Sequence, residues 1–574
     1  MKILYAGADD AVVSAFTASR KDGIVLLYNN WDDYGNRTTF PTLCVIGGKE
    51  VELGPVKIMF AGHPYSHPFL VERRANGWNG RFPIKDANYV SVTASTVFYE
   101  QLIGVAGSEV AQEVAEKLRD ASYLVRNLAD DRATKLIADP AFDASLLRER
   151  GAQQAFSNNW HILAGRRTAL VDIGFRYRDV DGVLRDMTLP FESNTLLPRD
   201  INVVIGPNGV GKSQLLRQMV GSWLDDGDTA ADEPGFTTPP GASQLVVVSY
   251  SPFELFPVDA TDAERADRQD LGFYRYFGLR GRAGGTKTNT SQPVRLSRTI
   301  PKVNAAGSLI DALSHDQRFG RIREWSAKIE TMESVMGSAI DFEFAALELK
   351  DDADTEAMTT GRFGRNGTII EVEDGDLVRR YVRISADRVD RLVPEAIRSG
   401  VKLIEGVSFF KDGEPVGLSS GQRLFSYIVI NILGAIRQNS LILVDEPELF
   451  LHPTLEIRFV GMLKEILAAY TSKALLATHS VVTVRETPAD CVHVFSRGKD
   501  EIHISNPPFE TFGGDVQRIT SYVFEDKRVA KPHEAWLRAE LKKFGTAEAF
   551  IEALGDDVNE ELIVQITAME AGKW

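Results

Sequence analysis

The sequence predicts an α/β fold around a largely parallel sheet, with an inserted mixed and helical segment, an N-terminal α+β domain and a helical C-terminal tail. Three observations carry that expectation. The segments QLVVVSYSPF (244–253), SLILVDE (440–446), ALLATHS (474–480) and CVHVFSR (491–497) contain short apolar runs of the length and β-branched content of buried strands. Helical periodicities lie between them, the alternation that builds parallel sheets. In DINVVIGPNGVGKSQLLRQMVGSWL (200–224), a strand passes through a glycine loop directly into an amphipathic helix.

Along the chain, residues 1–165 mix strand-like pieces (GIVLLYNN, PTLCVIGG, VKIMFAG) with one helical stretch, SEVAQEVAEKLRDASYLVRNLADD. FRYRDVDGVLRDMTLPF (175–191) reads as two strands joined by an Asp-Gly turn. Residues 255–415 form a long mixed segment, and the chain from about Thr511 is mostly helical. The expected division is 1–165 as an accessory domain, 166–510 as the main domain with 255–415 inserted, and 511–574 as a helical partner-binding region. A length of 574 residues fits two to four domains.

Composition removes several function classes. A 44% hydrophobic, 25% charged chain has the balance of a soluble globular protein. Two cysteines, Cys44 and Cys491, cannot make a disulfide framework or a Cys-rich metal site, so a reducing cytoplasm is the expected location. The start, MKILYAGADD, meets acids too early for a signal peptide. The longest apolar run, around YIVINILGAI, is about half of what a bilayer span needs, so no membrane partner is expected. A net charge of −15 argues against indiscriminate nucleic-acid binding and leaves room for a local basic surface.

GPNGVGKS (206–213) fits GxxxxGK[ST] in the strand-to-helix setting that the motif requires. Its glycines let backbone N–H groups turn inward, and the following helix adds its positive end. Gly206, Pro207, Asn208, Gly209, Val210, Gly211, Lys212, Ser213 and Gln214 form the expected phosphate cradle, with Lys212 on the β- and γ-phosphates and Ser213 on Mg²⁺. LILVDE (441–446) places Asp445 at a strand's C-terminal end, where its carboxylate can hold Mg²⁺ through water. Glu446 is the expected general base for the attacking water. ATHS ends the next strand with His479, placed to touch the γ-phosphate; a lone histidine there is more often structural, and the assignment rests on the ensemble.

VGLSSGQRLF (416–425) is a second Ser/Gly-rich turn leading into an apolar helix. The order glycine loop, LSSGQ, VDEPE, THS resembles the ABC-type ATPase head of the soluble SMC/RecF-like branch. That resemblance implies ATP and Mg²⁺ as ligands and makes LSSGQ the signature motif, which closes over the γ-phosphate held by a second head. Ser419, Ser420, Gly421 and Gln422 would supply those contacts, so two chains would sandwich two ATP molecules in a homodimer or higher oligomer. VDEPELFLHPTLE (444–456) resembles the ATPases that accompany nucleases in bacterial anti-phage systems, such as Septu and retron-associated ATPases. NNWDDYGNRTTF (29–40) followed by GPVKIMF (54–60) resembles the N-terminal domain that some of them carry. ABC heads usually carry a glutamine after the strand that follows the phosphate loop; VVVSYSPFELF has none, and Ser251 is the nearest candidate. Tyr177 is a candidate adenine contact or an ordinary strand tyrosine. No sustained heptads occupy 255–415, so a long coiled-coil arm is not expected.

A built-in nuclease is not expected. HPYSH offers His63 and His67 within a proline-rich loop without acids, and neither DVD at 179–181 nor DD at 556–557 has the flanking Glu or Lys of a nuclease centre. The stretch 274–302 differs in kind. It carries Arg275, Arg280, Arg282, Lys287, Arg295, Arg298 and Lys302 without an acid, interleaved with Tyr274, Tyr276 and Phe277. It reads either as a nucleic-acid contact with stacking aromatics or as a loop whose arginines pair with acids elsewhere. The expected function is an ATPase that dimerises on ATP and controls an effector from the same operon, a nuclease in phage defence. The alternatives are a repair or recombination ATPase acting on DNA, and a nucleotide sensor whose ATP-bound assembly is the signal.

Overall fold

The computed structural model describes residues 1–28, 38–63, 65–164, 170, 172–192, 196–224, 232–237, 240–259, 273–282, 293–319, 327–360, 367–375, 377–498, 501–524, 532–555 and 558–572. Most of NNWDDYGNRTTF, Lys287 and the Asp556–Asp557 pair lie outside those residues. The chain forms two compact units, Met1–Gly513 and Gly514–Trp574.

The first unit opens with a five-stranded sheet in the order Lys49–Val51, Thr42–Ile46, Gly23–Leu27, Lys2–Gly7, Arg81–Phe82, beside a three-stranded sheet of Thr39–Phe40, Val56–Phe60 and Tyr89–Thr93. The single helical stretch expected from 108 to 131 is broken. Helix Ser108–Leu118 ends at Arg119, which takes a left-handed φ of 57°. Buried Asp120 then caps a new helix, Ala121–Arg126, by accepting the Tyr123 N–H at 3.0 Å. His67 lies on helix Ser66–Ala75, where its Nδ1 meets the Tyr5 hydroxyl at 2.7 Å.

The main sheet has seven strands: β1 Ile201–Ile205, β2 Gln244–Ser249, β3 Tyr274–Gly278, β4 Ser440–Asp445, β5 Lys473–Thr478, β6 Val492–Arg497 and β7 Ile502–Ser505. Their spatial order is β3-β2-β4-β5-β1-β6-β7. All neighbours run parallel except the β6–β7 edge pair. β1, β2, β4 and β5 are almost wholly buried, the pattern of strands covered on both faces. Helix α1, Lys212–Leu224, lays Leu215, Leu216, Met219 and Trp223 into a core shared with Val204, Leu245, Leu443 and Leu475. Helix α2, Ser420–Ala435, buries Phe425, Ile428, Val429 and Ile432 and packs along helix Ile300–Phe319. Helix α3, Pro453–Ala469, follows β4.

The segment 255–415 is not wholly an insertion. β3 comes from inside it and pairs with β2 as an edge strand of the main sheet. The remainder holds helices Ile300–Phe319 and Lys328–Gly337 and a five-stranded antiparallel sheet built on Phe344–Glu348 and Leu377–Ile384. This placement corrects the stacking expectation. Tyr274, Tyr276 and Phe277 are core residues, each at most 8% exposed. Arg275 pairs with Asp311 at 3.0 Å, Arg280 with Glu254 at 3.5 Å and Arg282 with Asp259 at 2.6 Å. Three of the arginines therefore serve the protein's own fold. Glu254 is 6% exposed and also accepts from Tyr276 Oη and the Phe256 N–H. Arg280→Glu is thus expected to destabilise by about 2 kcal/mol or more, since it sets a second carboxylate against a buried one. Arg295→Glu, on the exposed face of strand Val294–Leu296, should stay within about 0.5 kcal/mol. Urea unfolding midpoints check both; equal midpoints would return Arg280 to the list of surface cations.

The second unit contains helices Val516–Val523, Pro532–Phe544, Ala547–Leu554 and Glu560–Glu570. Leu537, Ala547, Phe550 and Ile566 form a core there, with the Phe544 ring stacked on Phe550. Among the described residues, no helix is long and apolar enough to cross a membrane.

Candidate functional site

Parallel pairing brings the chemical residues to one edge. Ile205 pairs with Thr478, and Asp445 with both Ala477 and Ser249, so β1, β2, β4 and β5 end level with one another. Loops beyond the carboxyl ends of such strands are where α/β sheets place ligands. β5 separates β4 from β1, which sets His479 between Asp445–Glu446 and the glycine loop.

The loop owes its shape to its glycines. A Cβ on Gly206 would lie 2.2 Å from the Phe495 carbonyl oxygen, so only glycine lets β1 run into the loop beside β6. Gly211 has φ 97°, a backbone state that side chains disfavour. α1 then starts at Lys212, whose Nζ donates to the carbonyls of Gly206 (2.9 Å) and Pro207 (3.1 Å) and meets His479 Nε2 at 2.8 Å. An ammonium only donates, so Nε2 is the acceptor and the imidazole is neutral. Burial, and secondarily Lys212, lowers the His479 pKa to about 4. Burial also lowers Lys212 to about 8, against the opposing pull of Glu446, Glu448 and Asp445. Lys212 therefore keeps its charge at neutral pH.

The Ser213 hydroxyl donates to Asp445 Oδ1 at 2.9 Å. A hydroxyl and a carboxylate oxygen at this distance form the start of a hard-cation site, and they fit Mg²⁺. Burial foremost, with Glu446 and Glu448 adding to it, raises the Asp445 pKa to about 7. Glu446 follows in left-handed backbone, φ 50° and ψ 55°, with its N–H on the Ala477 carbonyl and its carboxylate 3.8 Å from His479 Nε2. Non-glycine residues persist in that conformation where the surroundings over-determine it, often at functional sites.

Lys212, Ser213, Asp445, Glu446 and His479 thus share one site. Gln214 points its amide to the Arg178 carbonyl at 3.1 Å, tying α1 to the hairpin of 173–189. Tyr177, the adenine candidate, is instead a core residue at 1% exposure, its ring against Phe495. Three residues on, exposed Val180 lies where a Cβ on Gly211 would touch it at 3.1 Å, making it an apolar side chain beside the glycine loop. Ser251 is buried at 7% exposure; the residues that line a notch with Ser213, Gln214 and Arg217 are Phe253, Glu254, Leu255 and Phe256.

The turn of LSSGQ stands apart. Ser419 caps α2, its Oγ accepting the Gln422 N–H at 3.2 Å while Gln422 Oε1 accepts the Ser419 N–H at 3.1 Å. A Cβ on Gly421 would lie 2.9 Å from the Phe450 carbonyl oxygen. Among the described residues, no hydrogen bond or ion pair joins residues 419–422 to residues 206–213.

Sequence reasoning passed over Glu448. It sits in the turn Pro447–Phe450 and accepts the His479 N–H at 2.5 Å, and burial raises its pKa. The only local sign was a second glutamate two residues past Glu446.

A largely parallel sheet with a glycine loop, an aspartate, an adjacent glutamate and a histidine at one edge is the arrangement of an ABC/AAA-type ATPase domain over residues 201–485. That same stretch matches the family model described as AAA domain, putative AbiEii toxin, Type IV TA system. Protein ea59 of Escherichia phage lambda is 24% identical over 526 residues, covering 88% of this chain and 87% of that protein. The crystal structure of UvrA2 from Deinococcus radiodurans aligns at 13% identity and a TM-score of 0.23, over 63% of this chain and 39% of the UvrA2 chain. ATPases of this class bind and hydrolyse ATP with Mg²⁺.

Proposed function

We propose that this protein hydrolyses ATP in a site shared between two copies and that the closed pair controls an effector, a nuclease acting in phage defence in the cytoplasm. The convergence of Lys212, Ser213, Asp445, Glu446 and His479 at one sheet edge carries the hydrolytic part. Lys212 leaves its loop carbonyls for the β- and γ-phosphates, and the backbone of 206–214 cradles the rest of the chain of phosphates. Ser213 and Asp445 would hold Mg²⁺, and the ion would supply positive charge against the phosphate oxygens. Glu446 takes the proton of the attacking water, and His479 contacts the γ-phosphate once Lys212 has turned from its Nε2 to the phosphates.

Sharing is supported by the position of LSSGQ. Its turn heads a sixteen-residue helix yet makes no hydrogen bond or ion pair to its own chain's phosphate loop among the described residues. Ser419 and the N–H of Gly421 are the phosphate-binding groups at this helix N-terminus. A second copy brings them to the ATP of the first. Ser419→Arg is therefore expected to leave ATP affinity within about threefold and to lower turnover by about 10²-fold or more, because only the shared transition state is lost. Nucleotide titration and phosphate release measure the two; normal turnover would argue against sharing.

The effector role is supported by the matched family's description as a putative toxin of a type IV toxin–antitoxin system. A repair role acting directly on DNA loses support, since Arg275, Arg280 and Arg282 are paired with acids. Co-purification with the products of neighbouring genes, followed by nuclease assay with and without ATP, tests the effector.

A further inference from the structure

Two carboxylates from the segment after β4 hold the loop that carries His479. Glu448 Oε1 accepts the His479 N–H at 2.5 Å, and Glu456, on α3 and 8% exposed, accepts from the Ser480 hydroxyl. The Glu448 side chain turns back because Glu446 is left-handed and Pro447 begins a tight turn. Its Oε2 is buried without a hydrogen-bond partner among the described residues. What the arrangement achieves is geometric. β5 ends at Thr478; beyond it the Ser480 N–H bonds Thr478 Oγ1 at 2.9 Å and the Ser480 hydroxyl bonds Glu456, while the His479 N–H itself is held by Glu448.

We propose that Glu448 is a positioning residue for ATP hydrolysis: it fixes the backbone of His479 so that the imidazole stays between Lys212 and Glu446. This rests on the ATPase reading above. Glu448 acts through His479 and touches neither nucleotide nor water.

The test compares steady-state ATP turnover and ATP affinity in wild type, Glu448→Ala, Glu448→Gln, His479→Ala and the double variant Glu448→Ala/His479→Ala. Glu448→Ala is expected to lower kcat by about 10²-fold, the cost of a displacement of about 1 Å at a reacting centre. ATP affinity should stay within about threefold, because the loss falls on the transition state. Glu448→Gln keeps an acceptor oxygen for the His479 N–H and should stay within about tenfold of wild type. The double variant should be no slower than His479→Ala, since residues acting as one unit do not add. Losses that multiply in the double variant would overturn the proposal, and so would a Glu448→Gln loss greater than about tenfold with intact ATP affinity. Should Glu448→Ala fail to fold, the Glu448→Gln result decides alone. A wild-type protein without turnover overturns the ATPase reading itself, an outcome distinct from either of these.

Discussion

Glu446→Gln is expected to keep ATP and Mg²⁺ binding and to lower turnover by about 10²–10⁴-fold, the usual contribution of a positioned general base. The side chain lies at the mouth of the site, 24% exposed, with its carboxylate 3.8 Å from His479 Nε2. Ser213 and Asp445, the residues that would hold Mg²⁺, face each other at 2.9 Å without it. Glutamine is isosteric, so the left-handed backbone at φ 50° and the N–H bond to the Ala477 carbonyl are unchanged. What disappears is the ability to take a proton. Single-turnover phosphate release with saturating ATP reads the loss. The ATP-bound pair should become long-lived, visible as an ATP-dependent shift in sedimentation. Turnover within a few-fold of wild type would move the base to another group.

Lys212→Ala is expected to weaken ATP binding by about 10²-fold or more, since two charge-assisted hydrogen bonds at about 1.5–3 kcal/mol each disappear. Lys212 is the only cation in GPNGVGKS, and the structure adds that its amine is already drawn into the loop by the Gly206 and Pro207 carbonyls. Its neighbours make the loss larger. Asp445, Glu446 and Glu448 all act on Lys212, and without it their negative field near the triphosphate would have no P-loop cation to offset it. Titration with a fluorescent ATP analogue measures the effect; affinity within a few-fold of wild type would remove Lys212 from phosphate binding.

The parts of this site that were legible in the sequence are the local ones. GPNGVGKS and LILVDE each encode a strand, its end and the residue presented there within a dozen positions, and parallel pairing leaves the ends little freedom. The parts that were misread depend on distant partners. Tyr274, Tyr276 and Phe277 looked like stacking side chains because arginines interleave with them. Asp311, Glu254 and Asp259, which neutralise those arginines, sit outside the segment. Tyr177 was at the right distance upstream for an adenine contact, yet β-strand alternation turned its ring inward and left Val180, in the hairpin turn, beside the loop. Glu448 meets His479 across thirty-one positions, a contact that no local pattern announces. The helix break at Arg119 required a left-handed residue that its side chain does not favour, and the buried cap at Asp120 supplies the reason.

Sharing of the site is tested most directly by mixing inactive Lys212→Ala protein with inactive Ser419→Arg protein and measuring ATP turnover. In a mixed pair, one composite site carries both lesions and the other carries neither. With free exchange of subunits, half of the pairs are mixed and each has one intact site, so turnover should return to about a quarter of wild type. The LSSGQ turn of one copy would then be acting on the phosphate loop of the other. No recovery, with exchange demonstrated independently by labelled subunits, would contradict a shared site and leave hydrolysis to the single chain.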